Sequence, residues 1–356
     1  MKNGKHILLI TPGFPADEND FNCIPPLQEF LIGFGSRFPT SKITSLALHY
    51  PHISKNYKWK AIPVFALGGK TISIKKPFLW IKATSLAKKI NEQDSIDLIH
   101  SLWLGECALV GNFLSKKFNC PHICTLMGQD VSRTNRYLKF LKNKEIRIVA
   151  LSKNQSDQFF NLTGRTTDEI IHWGINDEIT DGSQRDIDLL AVGSLVPLKN
   201  YSLFIRTVEE LVLLKPEIKC MLAGSGSEES KLKQMTKDKK LEENIEFTGL
   251  LNRIEIFKLM KRSRIFVHPS TFEGSGYVFA EALANGMNIV SFNVGYAQQN
   301  AKWFIVKDEQ EFINTTKKII LAELDFSPVN LFPLNETVER YAKLYDVNQN
   351  NGIKLS

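Results

Sequence analysis

Two glutamates, Glu273 and Glu281, are separated by seven residues, and the gap between them opens on Gly274-Ser275-Gly276. Ionised carboxylates accept hydrogen bonds from hydroxyls, and glycines let a backbone approach its ligand closely. The segment ahead, residues 264–269, reads as a buried strand stopped by proline, while Val278, Phe279, Ala282 and Leu283 recur at helical spacing. The stretch is therefore read as a strand, a tight glycine turn and a helix. Free N–H groups in the first turn of such a helix favour an anion, phosphate above all. Glu273 falls in the turn beside that anion site, and Glu281 lies about 7–12 Å further along, at roughly 1.5 Å per helical residue. Carboxylates so spaced can hold two different sugar rings, and a nucleotide sugar has a hexose and a ribose with a diphosphate between them. Each glutamate alone has a plainer reading. A glutamate at a helix start is often only a dipole partner, and one in the second turn is often a solvated surface residue.

The chain must supply elements that position this motif. At 356 residues and 43% hydrophobic composition it exceeds what one compact core usually holds, so two domains are expected. In the first half, strands are expected at 6–11, 43–48, 61–67, 97–102, 122–126, 146–151 and 170–173, with helices at 26–35, 78–91, 105–117, 132–142 and 153–162. This alternation indicates a parallel sheet covered by helices on both faces, with ligands at the carboxyl ends of the strands. Gly13, His100 and Trp103, and Gly128-Gln129-Asp130 fall at such ends. Residues 176–185 break the pattern and read as a linker. Alternation then restarts with strands at 189–192, 219–222, 245–247, 288–292 and 304–306 and helices near 203–214 and 254–260, in addition to the opening motif. The expected organisation is a domain over 1–175, a linker over 176–185, a second domain over 186–334, and a last segment, 335–356, whose helix crosses back to the first domain before a frayed tail.

The formal charge is +7. No acidic residue occurs between Glu29 and Glu92, an interval containing Arg37, Lys42, Lys55, Lys58, Lys60, Lys70, Lys75, Lys76, Lys82, Lys88 and Lys89. A second basic run holds Arg133, Arg136, Lys139, Lys142, Lys144 and Arg147 against Glu145 alone. Such a surface attracts anionic lipid headgroups or anionic glycans, and residues 75–90 can form an amphipathic helix lying on a membrane or, equally, a core-facing helix with solvated lysines. No recognised nucleic-acid motif accompanies the charge, so no nucleic-acid partner is expected. The N-terminal apolar run, 6–11, is too short for a signal peptide or a membrane span, and a cytoplasmic location, peripheral at the inner membrane face, is expected. Five scattered cysteines imply neither a disulfide framework nor a zinc cage; Cys120 and Cys124 read as buried thiols. Asp186-Ile187-Asp188 is expected to be solvated aspartates, with no metal required.

Further motifs accompany the opening one. Gly193-Ser194-Leu195 is followed, after three intervening residues, by Lys199, and Gly224-Ser225-Gly226 forms a second glycine turn that lacks the third glycine of a dinucleotide fingerprint. Together with Leu283-Ala284-Asn285-Gly286, these segments resemble the retaining GT-B glycosyltransferases, family 4 especially. Glu273-x7-Glu281 resembles that family's E-x7-E signature, Gly193–Lys199 its donor-phosphate motif with Ser194 at the usual arginine, and Gly128-Gln129-Asp130 its H-G-x-D motif with Met127 at the usual histidine.

The resemblance implies two Rossmann-like α/β domains facing each other across a deep cleft. It also implies transfer of a hexose from a UDP- or GDP-sugar to a hydroxyl of a glycan or lipid-linked acceptor, with retention and without a metal or other cofactor. Glu273 and Lys199 would be catalytic. Gly13, Gly193, Ser194, Gly224, Gly274, Ser275, Gly276, Tyr277 and Glu281 would contact the donor, while His100, Trp103, Gly128 and Asp130 are acceptor-side candidates. Two other readings stay open: a non-catalytic GT-B partner subunit, suggested by Ser194 and Met127, and a sugar-nucleotide epimerase of the same fold.

Overall fold

The computed structural model describes residues 4–71, 76–141, 145–176 and 184–347. Runs of Ile, Leu and Val become strands buried on both faces because helices cover each side of two largely parallel sheets. The chain divides into two units, Met1–Gly174 with Leu334–Ser356, and Ile175–Pro333. The expected linker falls at the start of the second unit, with 177–183 outside the described residues.

The first sheet contains β1 (His6–Gly13), β2 (Lys42–Tyr50), β3 (Lys55–Trp59), β4 (Ile62–Ala66), β5 (Leu98–Leu102), β6 (His122–Thr125), β7 (Arg147–Ala150) and β8 (Glu169–Ile170). Its spatial order is β3-β4-β2-β1-β5-β6-β7-β8, parallel except for the β3–β4 hairpin. Strand β1 is central because Ile7, Leu8 and Ile10 are fully buried and pair with β2 on one side and β5 on the other. Helices α1 (Pro25–Arg37), α2 (Lys76–Gln93), α3 (Glu106–Phe118), α4 (Leu138–Leu141) and α5 (Lys153–Thr163) flank it. Helices α2 and α3 are tied together by the half-buried Glu106, which accepts from Lys76 Nζ and from Trp80 Nε1 at 3.2 Å and lies 3.4 Å from His49 Nε2. Burial alone would raise the Glu106 pKa, but the groups around it bring it down to about 2.

The second sheet contains β9 (Ile187–Val192), β10 (Cys220–Ala223), β11 (Ile245–Gly249), β12 (Ser263–His268), β13 (Asn288–Phe292) and β14 (Trp303–Val306), all parallel and in the order β11-β10-β9-β12-β13-β14. Helices α6 (Tyr201–Val212), α7 (Glu229–Asp238), α8 (Arg253–Arg262), α9 (Tyr277–Ala284) and α10 (Glu309–Ile320) complete this unit. Helix α6 turns Leu203, Phe204, Val208 and Leu211 onto Leu189 and Leu222 of the sheet. Helix α8 starts at a reciprocal cap, Asn252 accepting from Glu255 N–H while the Glu255 carboxylate accepts from Asn252 N–H. Helix α11 (Leu334–Leu344) belongs to the first unit, where Tyr341 packs on Phe30 at 4.9 Å and stacks on Trp173 at 5.5 Å.

Three local expectations change. The helix expected over 132–142 is reduced to α4, because the Asn135 amide donates to the carbonyls of Leu104 and Asp130 and holds the preceding residues in turns; Lys142 lies outside the described residues. Helices α7 and α10 are additional: α7 fully buries only Leu232 and Thr236, too few to leave a periodic signal. The antiparallel strand β3 is also additional. Among the described residues, no helix is long and apolar enough to cross a membrane.

Candidate functional site

Strand β9 has its successors on opposite sides: β10 and β11 lie to one side, β12 to β14 to the other. The chain loops leaving β9 and β12 therefore diverge, which opens a crevice at the carboxyl ends of these strands. Lys199 comes from the loop after β9, where Pro197–Lys199 forms a single 3₁₀ turn, and Glu273 comes from the loop after β12. The Thr271 N–H donates to the Leu198 carbonyl at 3.2 Å and fastens the two loops together.

Lys199 Nζ forms an ion pair with Glu273 Oε1, and His268 Nε2 lies 2.7 Å from the same oxygen. A carboxylate can only accept, so the His268 proton is on Nε2. His268 ends β12, is fully buried, and is stacked with Phe266 and edge-packed on Phe279 at 4.9 Å. Burial lowers its pKa, so it holds Glu273 as a neutral imidazole. Burial by itself would raise the Glu273 pKa, but His268 and Lys199 bring it down to about 2, and the group is ionised at neutral pH. Both donors converge on Oε1, and no hydrogen bond to Oε2 occurs among the described residues. The second oxygen is available to a hydroxyl.

Glu281 belongs to a separate cluster. It is 9% exposed and lies 3.2 Å from the Arg253 Nε at the start of α8. Arg253 Nη2 is 3.4 Å from the Tyr277 hydroxyl, and its guanidinium lies 5.7 Å from the Tyr277 ring centre. Gly276 caps α9 at φ 69°, and a Cβ there would come within 2.6 Å of the Phe279 ring, so glycine is required for this helix entry. Ser275 accepts from Tyr296 N–H through its carbonyl at 2.8 Å, which holds the turn Gly274–Gly276 beneath the N-terminus of α9.

Gly193 and Gly224 close the other rim. A Cβ on Gly224, at φ 143°, would lie 1.9 Å from the Gly193 carbonyl oxygen, so the turns after β9 and β10 touch backbone to backbone. Beneath Gly193 is the Tyr201 hydroxyl, buried with no hydrogen-bond partner among the described residues. Burial and the nearby Glu273 charge raise the Tyr201 pKa, which keeps the phenol neutral. Ser194 is exposed on this rim.

In the first unit, Gly13 closes β1 and Trp103 follows β5 with a left-handed backbone at φ 65°, so both flank the corresponding switch point. His100 does not serve as a surface acceptor contact. It is fully buried, its Nδ1 lies 2.6 Å from the Tyr345 hydroxyl and its Nε2 2.8 Å from Thr125 Oγ1, and burial drives its pKa down to about 3. Asp130 is likewise structural: its carboxylate accepts from the N–H groups of Leu104, Met127 and Gly128 at 2.7–3.1 Å, bracing the loops after β5 and β6. The expectation changes for Asp188 alone, which is buried and paired with Lys215 and Arg264, whereas Asp186 is exposed as expected and paired with Arg262. Among the described residues, no cluster of His, Cys, Asp and Glu could hold a metal ion.

Sequence spacing missed His268, Tyr201 and Arg253. His268 had a local signal, a histidine closing a buried strand five residues before Glu273. Arg253 had none, since only the fold brings it to Glu281 from 28 residues away.

Residues 176–321 match the family model described as Glycosyl transferases group 1. An uncharacterized glycosyltransferase of Methanocaldococcus jannaschii is 31% identical over 225 residues, covering 60% of this chain and 61% of that protein. The N-acetylgalactosamine-N,N'-diacetylbacillosaminyl-diphospho-undecaprenol 4-alpha-N-acetylgalactosaminyltransferase of Campylobacter jejuni is 26% identical over 236 residues, 61% of this chain and 62% of that protein. The chain thus spans less than two thirds of each of these relatives. The Anabaena protein HepE, solved in complex with UDP and glucose, superposes with a TM-score of 0.73 at 18% identity, over 97% of this chain and 100% of its own. The fold is GT-B.

Proposed function

We propose that the chain is a retaining glycosyltransferase that moves a hexose from a nucleoside diphosphate sugar, UDP- or GDP-linked, to a hydroxyl of a glycan or lipid-linked acceptor. The observation that carries this reading is the convergence of Lys199 and His268 on one oxygen of an ionised Glu273. It leaves Oε2 open at the crevice where α9 presents its first N–H groups. The donor diphosphate sits on the backbone of Ser275–Tyr277, beside Lys199, and Glu273 Oε2 accepts from a hexose hydroxyl. Glu281 accepts from the ribose, with Arg253 fixing its rotamer.

As the glycosidic bond to the diphosphate breaks, negative charge grows on the leaving oxygen, where Lys199 and the helix N-terminus are already oriented. The acceptor hydroxyl forms the new bond on the face the diphosphate leaves, and its proton passes to a phosphate oxygen. No covalent enzyme intermediate and no metal is needed. The basic first unit supports an acceptor presented at an anionic membrane face from the cytoplasmic side.

Glu273→Gln tests the assignment, because it keeps shape and removes charge. It should lower transfer from the cognate nucleotide sugar at least 100-fold while nucleoside diphosphate binding changes less than threefold. Wild-type transfer by this variant would sink the proposed role. A chain that binds nucleotide but turns over no donor with any acceptor would favour a non-catalytic partner subunit, the reading suggested by Ser194.

A further inference from the structure

A phenol taken out of water loses its hydrogen bonds, and unless the protein replaces them the fold is less stable for carrying the oxygen. Tyr201 is such a residue. It opens α6, it is 2% exposed, and its hydroxyl has no hydrogen-bond partner among the described residues. Packing accounts for the ring but not for the oxygen. The ring belongs to the apolar core of the second unit, with Leu203, Phe204 and Leu222, where phenylalanine would fill the same space.

The hydroxyl is aimed at the loop after β9. A Cβ on Gly193 would stand 2.7 Å from it and 3.8 Å from Lys199 Cε, so the phenol and the lysine stem flank the point that this glycine leaves empty. Lys199 Nζ is drawn from there to Glu273, whose charge also reaches the phenol and, together with burial, raises its pKa. The phenol therefore keeps its proton and can donate it. Neither neighbour accepts: an ammonium is only a donor, and Glu273 takes its hydrogen bonds from Lys199 and His268. A lysine and a hydroxyl thus meet at one place with no acceptor for the second.

We infer that the Tyr201 hydroxyl donates to an oxygen of the nucleotide sugar's leaving phosphate, the one bonded to the hexose, when Lys199 exchanges Glu273 for that same phosphate. The inference rests on the transferase reading above. There Glu273 marks the hexose end of the crevice and Glu281 the ribose end, so a phosphate beside Lys199 is the one further from the ribose. Its oxygens accept one bond from an ammonium and another from a hydroxyl without conflict. Negative charge grows on that group as the glycosidic bond breaks, so a fixed neutral donor holds it more strongly in the transition state than before it. The free protein bears an unsatisfied oxygen that the complex uses.

Tyr201→Phe removes that oxygen and keeps the ring. Full-length wild type and variant are titrated calorimetrically with UDP, GDP and ADP and with UMP, GMP and AMP, and their melting temperatures are compared without ligand. The diphosphate that binds the wild type should bind Tyr201→Phe at least tenfold more weakly, while its monophosphate changes less than twofold. The unliganded variant should melt at or above the wild-type temperature, because a buried unsatisfied group has been removed. Equal diphosphate affinity in the two proteins overturns the inference and leaves the transferase reading intact. So does a loss shared equally by the monophosphate, which would mean a distorted crevice. A lower melting temperature with unchanged affinities overturns it too, since the hydroxyl would then have a permanent water partner and only a structural role. Binding of none of the six nucleotides to the wild type overturns both readings.

Discussion

Glu273 and Glu106 show how burial and pairing set the working charge of a carboxylate. Both are largely buried, which alone would favour the neutral acid, and both are held ionised by a lysine and an imidazole, each with a folded pKa of about 2. For Glu106, lowering the pKa from its ordinary 4.5 gives stability that is fully present above about pH 4.5 and lost as the pH falls towards 2. Glu106→Gln should therefore be less stable than wild type by about 2 kcal/mol at pH 7, with Lys76 left without its counter-charge, and the two should converge near pH 2.5. Denaturant unfolding across that range checks it. Parallel curves for the two proteins would show that the cluster contributes no linked stability. At this scale Glu273, Glu281 and Lys199 were legible because their motifs are short and their spacing is local. His100 and Asp130 were not, because nothing in a neighbouring residue announces that a polar group will be buried with all its partners already in place.

The proposed donor site rests on two glycine turns and one short helix. Helix α9 is buried nearly all round, with Phe279, Ala280, Ala282 and Leu283 at 1% exposure or less, which is why its apolar residues were readable while its direction of amphipathicity was not. The contact of Gly224 with the Gly193 carbonyl makes a specific demand. Gly224→Ala introduces a Cβ at 1.9 Å from that oxygen and a side chain at φ 143°, so the turns after β9 and β10 must separate. The expected outcome is a loss of about 1–3 kcal/mol of stability and at least tenfold weaker nucleotide binding. An unperturbed melting temperature with unchanged nucleotide affinity would show that these turns do not shape the site. Elements built on short continuous apolar runs, such as β1, β5 and β9, were readable from the sequence. The segment 132–142 was misread because its amphipathic spacing competes with side-chain hydrogen bonds from Asn135, and those bonds link residues that only the fold brings together.

At the scale of the whole molecule, α/β alternation twice over implied the two Rossmann-like units, and the strand orders show where each sheet reverses direction. Charge was the least transferable sequence signal, because the acids that pair with part of the first unit's basic stretch lie far along the chain: Glu339 reaches Arg37 from α11, and Glu106 reaches Lys76 from α3. The proposed donor contacts other than Gly13, by contrast, come from the second unit, between Gly193 and Glu281.

That concentration makes nucleotide binding the most direct test. Melting temperatures of wild type and Glu281→Ala are measured against UDP, GDP and ADP and their common sugar conjugates. A ligand at about 100 times its dissociation constant should add roughly 2.7 kcal/mol, a readily measured shift. The account predicts that one nucleotide series stabilises the wild type and that Glu281→Ala loses most of the shift. No stabilisation by any series, or a shift fully kept by Glu281→Ala, would contradict a donor site built on these residues.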